Sequence, residues 1–85
     1  MEIEFSKQAR KSYQNLPLRL KKKTDKQFQF LLDNPKHPSL RTKRMAGLPY
    51  FEGRIDFHYC FTFKIEGKTI RIMIIGPHDT GLGKK

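Results

Sequence analysis

The stretch that decides the fold runs from residue 59 to residue 75 and reads YCFTFKIEGKTIRIMII. Bulky apolar residues alternate with other residue types in two runs, Tyr59, Phe61, Phe63, Ile65 and then Ile70, Ile72, Ile74. Alternation with a period of two is typical of strands that bury one face. Glu66-Gly67 lies between the runs, so the stretch predicts an antiparallel hairpin with a tight turn.

A two-residue turn at Glu66-Gly67 fixes a register for this hairpin. It predicts that Phe63 lies opposite Ile70 and Phe61 opposite Ile72, so that both apolar sets share one side of the sheet. Residues 51–56 predict a third strand, because Phe51, Gly53 and Ile55 alternate with polar residues. The opposite side of the sheet is then polar and basic and is the candidate working surface; it carries Arg54, Asp56, Cys60, Thr62, Lys64, Arg71 and Met73.

The first half of the chain predicts a short strand at 2–5 and two amphipathic helices. Ser6 is a natural N-cap for a helix over about 6–15, which Pro17 ends. A second helix over about 18–33 has an apolar stripe and is ended by Asn34-Pro35; the stripe is formed by Leu20, Thr24, Phe28 and Leu31. Residues 35–50 hold three prolines, a glycine and a basic run, which predicts an irregular connection.

This order of strand, helix, helix and three antiparallel strands predicts an α+β fold with both helices on one face of the sheet. The length of 85 residues favours one domain over 1–85 with a modest core and no large catalytic pocket. The single cysteine, Cys60, is typical of a protein from a reducing cytosol. The N-terminal residues do not resemble a signal peptide, and no apolar run approaches the length of a membrane span. We therefore expect a cytoplasmic protein without a membrane partner.

The charge balance points to a polyanionic partner. The chain has 18 Lys and Arg against 8 Asp and Glu, a formal net charge of +10. Residues 1–44 hold 12 of the basic and 4 of the acidic residues, so the positive charge is concentrated in the first half. Nucleic acid, the ribosome or an acidic protein would suit this surface. A merely solvated helix surface is the alternative interpretation.

Few residues carry recognisable chemistry. His37, His58 and His78 are not spaced as metal ligands are, so neither a metal nor another cofactor is expected. His78 follows the last predicted strand in the sequence IGPHD, where an imidazole could transfer a proton at neutral pH; a surface histidine in a turn is the alternative. Cys60 fits a buried thiol better than a nucleophile.

An RNA substrate would need few protein groups, because the 2′-hydroxyl itself supplies the nucleophile. The protein would only transfer protons and balance the charge on the phosphate. His78 could transfer the proton, and Arg54, Arg71 and either Lys43 or Arg44 could supply the charge. Solvated side chains remain the alternative for each of these basic residues.

The sequence resembles the RelE/ParE toxin superfamily of bacterial toxin-antitoxin systems. The resemblance rests on the order and spacing of segments that cover nearly the whole chain: the two helices, Asn34-Pro35, the stretch 41–48, FEGRID at 51–56, YCFTF at 59–63 and IGPHD at 75–79. It implies a toxin that enters the ribosomal A site and cleaves mRNA there without a metal, silenced by an acidic antitoxin protein.

The resemblance also implies residue roles. His78 would be the first catalytic residue and Arg54 a phosphate-contacting one. From the basic residues themselves, we expect Arg41, Lys43, Arg44, Lys64 and Arg71 to bind RNA. Many members have Tyr-Arg where this chain has Tyr59-Cys60, which removes an arginine from the site. Two other functions stay open: a ParE-like toxin that poisons DNA gyrase, and a catalytically silent basic module that binds RNA or an antitoxin.

Overall fold

The structure, a computed structural model, describes residues 2–77. Its elements in chain order are β1 (Glu2–Phe5), α1 (Lys7–Gln14), α2 (Leu18–Asp33), a short 3-10 helix (Pro38–Leu40), β2 (Lys43–Arg44), β3 (Phe51–Arg54), β4 (Tyr59–Glu66) and β5 (Thr69–Pro77). The strands form one sheet in the order β1-β5-β4-β3-β2. The predicted α+β fold is confirmed, with two features added: β1 pairs in parallel with β5, and β2 adds a two-residue edge strand.

Helix α1 begins where its sequence predicts. The Ser6 hydroxyl accepts a hydrogen bond from the backbone N–H of Ala9 at 3.0 Å and donates one to the carbonyl of Met73 at 2.8 Å. One side chain thus caps the first turn and fastens it to β5. Ala9 is fully buried, so α1 lies directly against the core.

Helix α2 covers the predicted range and buries the predicted stripe. Leu20, Thr24, Phe28 and Leu31 are all buried, and the Thr24 hydroxyl donates to the Leu20 carbonyl at 2.7 Å, which satisfies it inside the core. The two helices are joined by the Tyr13 hydroxyl, which donates to Asp25 at 2.7 Å. That hydrogen bond, burial and the negative charge of Asp25 all raise the pKa of Tyr13. Within residues 2–77, neither helix is long and apolar enough to cross a membrane.

The predicted hairpin register is wrong by two residues. Phe63 lies opposite Ile72 and Ile65 opposite Ile70, because the turn is at Gly67-Lys68 rather than Glu66-Gly67. Gly67 has a φ of +62°, a left-handed conformation that glycine adopts without strain. A shift of two residues preserves the face of each side chain, so Phe63, Ile70 and Ile72 still point into the core.

A bulge in β5 overturns the predicted face of Ile74. Between Thr62 and Phe63 the register shifts by one residue, so that Thr62 lies opposite Ile74 and Phe61 opposite Ile75. An extra residue in one strand reverses the sides of all residues beyond it. Ile75 therefore enters the core at 4% exposure, whereas Ile74 lies on the opposite side of the sheet.

The core is a stack of aromatic rings between α2 and the sheet. The Phe61 ring meets Phe28 edge to face at 5.1 Å between centroids and is tilted against Phe63 at 5.6 Å. Gly53 lies under Phe61; a Cβ on Gly53 would be 2.5 Å from the ring carbon Cζ. The strand β3 thus approaches this ring closely because residue 53 has no side chain.

The connection predicted to be irregular contains two short elements and one buried anchor. Leu40, in the 3-10 helix, is fully buried. The Gln27 side-chain amide of α2 donates to the carbonyl of Ser39 at 3.1 Å and to that of Arg54 at 2.6 Å. One buried side chain therefore ties α2 both to the connection and to the end of β3.

Candidate nucleic-acid interface

The sheet face opposite the two helices brings together several of the predicted site residues. We call it the helix-free face; its strand residues, placed by the register, include Lys43, Glu52, Arg54, Cys60, Thr62, Lys64, Arg71 and Ile74. Four predicted RNA-contacting residues, Lys43, Arg54, Lys64 and Arg71, thus share one face. The side chains at the centre of this face are buried: Cys60 is 0% exposed and Thr62 is 3% exposed.

Arg54 is held in place at the end of β3. Its backbone pairs with Cys60 across the sheet, and its carbonyl accepts the short hydrogen bond from Gln27. Its guanidinium Nη1 donates to the carbonyl of Phe57 at 3.5 Å, a long contact that leaves most of its donors available. Arg54 is therefore a half-buried residue whose backbone is held in place and whose guanidinium is accessible.

Asp56 organises the turn between β3 and β4. One oxygen of its carboxylate accepts the backbone N–H groups of His58 and Tyr59, each at 2.9 Å. Burial alone would raise the pKa of Asp56, but these two donors and the positive charges of Lys23 and Arg19 outweigh it and hold the pKa below its ordinary value. Arg19 also approaches the other carboxylate oxygen at 3.9 Å. The turn is thereby fixed to the start of α2.

Glu52 is a site residue that the sequence analysis missed. It is 8% exposed, and the Cys60 thiol donates to its Oε2 at 3.4 Å. Its position two residues before Arg54 on the same strand is the signal that could have identified it. The predicted interpretation of Cys60 as a buried thiol agrees with the structure.

Lys64 and Arg71 lie at the other end of the helix-free face. Lys64 pairs with Glu66 at 3.1 Å and Arg71 with Glu4 at 3.2 Å. The row of Arg54 and Cys60 lies four residue steps along β4 from the row of Lys64 and Arg71, which amounts to about 13 Å. Lys64 and Arg71 therefore do not lie beside Arg54 on this face.

The basic run at 41–44 forms a separate groove at the β2 edge of the sheet. Alternation places Lys43 on the helix-free face opposite Glu52, whereas Arg44 lies on the other side, with its guanidinium 5.9 Å from the Phe51 ring centroid. Arg41 is exposed, with a φ of +50° at the end of the 3-10 helix. The groove is lined by Lys36, His37, Pro38, Arg41, Thr42, Lys43, Arg44 and Phe51.

The helix-free face was predicted to be basic, and this prediction is wrong, because acidic side chains on the face balance its cations. Its described strand residues include four basic ones, Lys43, Arg54, Lys64 and Arg71, and four acidic ones, Glu2, Glu4, Glu52 and Glu66. Much of the positive charge lies on α2 instead, where the exposed residues include Arg19, Lys22, Lys23 and Lys26. The phosphate-binding capacity of the helix-free face therefore depends on individual residues rather than on its net charge.

His78 lies outside the described residues, which end at Pro77, directly before it in the sequence. Strand β5 ends at Pro77, which pairs with Tyr59, next to the pair of Gly76 and Cys60. Because Cys60 also pairs with Arg54, the end of β5 and Arg54 occupy the same end of the sheet. Within residues 2–77 no cluster of histidine, cysteine or acidic side chains could hold a metal ion.

No protein-family model and no curated protein sequence matches the chain, but solved structures do. The YoeB/ParE toxin from Agrobacterium tumefaciens superposes with a TM-score of 0.81 at 15% identity, over 92% of this chain and 99% of that one. A chain of the YoeB-YefM complex from Staphylococcus aureus gives 0.78 at 20% identity, over 89% and 94%. A chain of the E. coli RelBE toxin-antitoxin complex gives 0.73 at 14% identity, over 87% and 92%.

These superpositions extend over 87–92% of this chain and 92–99% of each partner. The chain has the fold of the RelE/ParE toxin superfamily.

Proposed function

We propose that this protein is the toxin of a type II toxin-antitoxin pair and acts as a metal-independent, ribosome-dependent mRNA endonuclease. The observation that carries the proposal is the position of Arg54, whose backbone is held in place and whose guanidinium is accessible. Arg54 lies at the end of the sheet where β5 ends, one residue before His78 in the sequence. The toxins named among the structural neighbours support the toxin part of this proposal.

The proposed reaction needs one proton-transfer group and one cation at the phosphate. The 2′-oxygen of the RNA attacks the adjacent phosphorus and loses its proton, while the bond from phosphorus to the 5′-oxygen breaks and that oxygen gains a proton. His78 would take part in these proton transfers. Arg54 would stabilise the negative charge that builds up on the phosphate oxygens.

The other basic residues would hold RNA at a distance from the reacting phosphate. Lys43 is the nearer of them, since it lies opposite Glu52, two residues from Arg54. Lys64 and Arg71 are ion-paired and lie about 13 Å away along β4. Arg41 and Arg44 belong to the groove at the β2 edge and would contact a different part of the RNA or the ribosome.

The proposed setting is the cytoplasm, where translating ribosomes present mRNA in the A site. The partner that silences the toxin would be an acidic antitoxin protein, for which the formal charge of +10 is complementary. Several neighbours, among them the E. coli RelBE structure and a heterotetrameric S. aureus YoeB-YefM structure, are toxin-antitoxin complexes.

The proposal is tested in a reconstituted translation reaction in which the 5′ ends of the mRNA are mapped. We expect cleavage that requires ribosomes and falls by a factor of about 10² or more in His78→Ala, the usual contribution of a general acid or base. Arg54→Gln should reduce cleavage strongly, whereas Arg71→Gln should reduce it little. The control is ribosome-free mRNA with the intact protein.

Two outcomes would replace the proposal. Inhibition of gyrase in a DNA supercoiling assay, without mRNA cleavage, would establish the ParE-like function instead. Binding of RNA or antitoxin without any cleavage would establish a silent module, a function favoured by one observation: residue 60 is a fully buried cysteine hydrogen-bonded to Glu52 and supplies no cation.

A further inference from the structure

The turn between β3 and β4 presents the most exposed of the large hydrophobic side chains in residues 2–77. Phe57 is 80% exposed. A phenyl ring exposed to this extent does not contribute the favourable free energy that its burial would supply. The ring also lies on a turn whose backbone is held by hydrogen bonds, and exposed apolar patches often mark a binding site. An exposed ring on a fixed turn is better suited to contact a partner than to stabilise the fold.

Hydrogen bonds fix the backbone around this ring. The Asp56 carboxylate accepts two backbone N–H groups at 2.9 Å, and the N–H groups of Ile55 and Asp56 donate to the carbonyl of Tyr59 at 2.9 and 3.1 Å. Arg54 donates to the carbonyl of Phe57 itself at 3.5 Å. The Phe57 ring therefore projects from a pre-organised backbone, which lowers the entropy lost on binding.

The surroundings of the ring favour a nucleobase over an apolar protein surface. The rings of Phe57 and His58 lie 4.9 Å apart between centroids with an interplanar angle of 83°, so they form a T-shaped aromatic pair. Arg54 contacts the Phe57 carbonyl, Arg19 approaches Asp56 at 3.9 Å, and Lys23 acts on the same carboxylate. Exposed aromatic rings among cations are how proteins bind single-stranded nucleic acid, stacking the base and attracting the phosphate.

We propose that Phe57, paired with His58, is a base-stacking platform for single-stranded RNA, positioned beside Arg54 at the end of the helix-free face. The inference rests on the proposed function, because it assumes an RNA substrate. It adds a specificity element: the nucleotide next to the phosphate held by Arg54 would be recognised by stacking, with preference for a base over an abasic sugar.

The test measures binding separately from cleavage. The probe is a short oligoribonucleotide with 2′-O-methyl sugars, which lacks the nucleophilic hydroxyl, beside an abasic oligomer of the same length and backbone. We expect the intact protein to bind the base-bearing probe at least about fivefold more tightly than the abasic one, the lower end of what one stacked base contributes. Phe57→Ala should lose that difference, and Phe57→Trp should keep it.

Three further variants separate stacking from other causes. Phe57→Leu keeps an apolar side chain but no ring, so it should bind as weakly as Phe57→Ala. Leu32→Ala removes an exposed apolar side chain, 37% exposed, at the far end of α2 and should bind normally. Leu18→Ala should also bind normally; Leu18 is 68% exposed and precedes Arg19, so a loss equal to that of Phe57→Ala would show that exposed apolar area rather than the ring binds the probe, and would overturn the proposal.

Two signatures go beyond affinity. The sequence contains no tryptophan, so the indole of Phe57→Trp is the only one, and its fluorescence should be quenched by the base-bearing probe but not by the abasic one. The slope of log K against log salt should be unchanged in Phe57→Ala but reduced in magnitude by about 0.7 in Arg54→Gln, the value for one single-strand phosphate contact.

The outcomes distinguish this inference from the proposed function. Equal binding of both probes by the intact protein, or full binding by Phe57→Leu, would overturn the platform even if mRNA cleavage on the ribosome is observed. Base-dependent binding that requires the ring would support the platform even if the protein cleaves no mRNA, in which case only the endonuclease proposal fails.

Discussion

At the scale of single residues, Asp56 links the stability of the turn to pH. Its pKa is lower in the folded protein than its ordinary value, so the folded state favours the carboxylate. The resulting stabilisation is fully present above the pKa of the unfolded chain, about 3.9, and is lost as the pH falls through the lower folded value. Acid should therefore weaken the turn that carries Phe57.

Asp56→Asn should cost about 1 kcal/mol at pH 7, because the two backbone N–H groups lose a charged acceptor but keep a neutral one. The difference in unfolding free energy between the two proteins should shrink as the pH falls from about 4, where the carboxylate of the unfolded chain becomes protonated, through the lower pKa of the folded protein. Urea denaturation across this pH range measures it. Asp33→Asn, at the exposed end of α2, is the control; a difference for Asp56→Asn that does not vary with pH would contradict this account.

Gly53 is constrained by the aromatic core rather than by its backbone angles. In Gly53→Ala the new Cβ would lie 2.5 Å from Phe61, and this ring is fully buried beside Phe28 and Phe63. We expect a loss of stability of about 1–3 kcal/mol, which a second change of Phe61→Leu should partly restore. Gly76→Ala is the matched control, because a Cβ there meets nothing within 4 Å; thermal denaturation compares them.

At the scale of elements, Gln27 joins α2 to the parts of the chain that carry the site. Replacing it by methionine leaves the carbonyls of Ser39 and Arg54 without their side-chain donor inside a packed region. Gln27→Met should lower the unfolding free energy by about 1–3 kcal/mol. Gln29→Met, on the exposed side of the same helix, should change it little; equal effects of the two variants in chemical denaturation would refute the role of Gln27.

The helices could be predicted well because their determinants are local. The Ser6 cap, the prolines at their ends and the apolar stripe of α2 all lie within the segments that they shape. The register of the hairpin depends on which two residues form its turn, and the sequence pattern did not determine them. The bulge in β5 depends on packing across the sheet, which is not a local property. The parallel pairing of β1 with β5 joins residues 67 positions apart, a contact that no local pattern encodes.

The candidate site could be predicted where alternation along a strand determines on which side of the sheet each side chain lies. Arg54, Lys64 and Arg71 share a face as predicted, because each lies at an alternating position in a regular strand. The ion pair of Arg71 with Glu4 joins strands distant in sequence, so its neutralisation was not visible, whereas Lys64 pairs with Glu66 two residues along the same strand. Phe57 was missed because the turn had no periodic pattern. The role of His78 stays a prediction.

At the scale of the whole molecule, a formal charge of +10 on 85 residues means that the folded chain repels itself. Lys22 and Lys26 are exposed neighbours on α2, one helical turn apart. Raising ionic strength from 0.01 to 0.15 M shortens the screening length from about 30 to about 8 Å. The melting temperature should therefore rise with salt over this range.

The double variant Lys22→Gln/Lys26→Gln should be more stable than the wild type at low salt and should show a smaller rise with added salt. Lys64→Gln is the matched control, since Lys64 is compensated by Glu66 at 3.1 Å and its removal relieves little repulsion. Differential scanning calorimetry at several salt concentrations measures both effects. An identical salt response in the double variant and the wild type would show that α2 is not where the repulsion is concentrated.

The parallel pairing of β1 with β5 has a consequence for synthesis of the protein. Strand β1 is made first, yet its partner residues 69–72 are translated only after some sixty intervening positions, so β1 stays without its sheet neighbour while the helices and β2 to β4 emerge. Because Ser6 also depends on Met73, the first helix lacks its anchor over the same interval. A nascent chain would thus acquire its full sheet only late, once β5 has emerged.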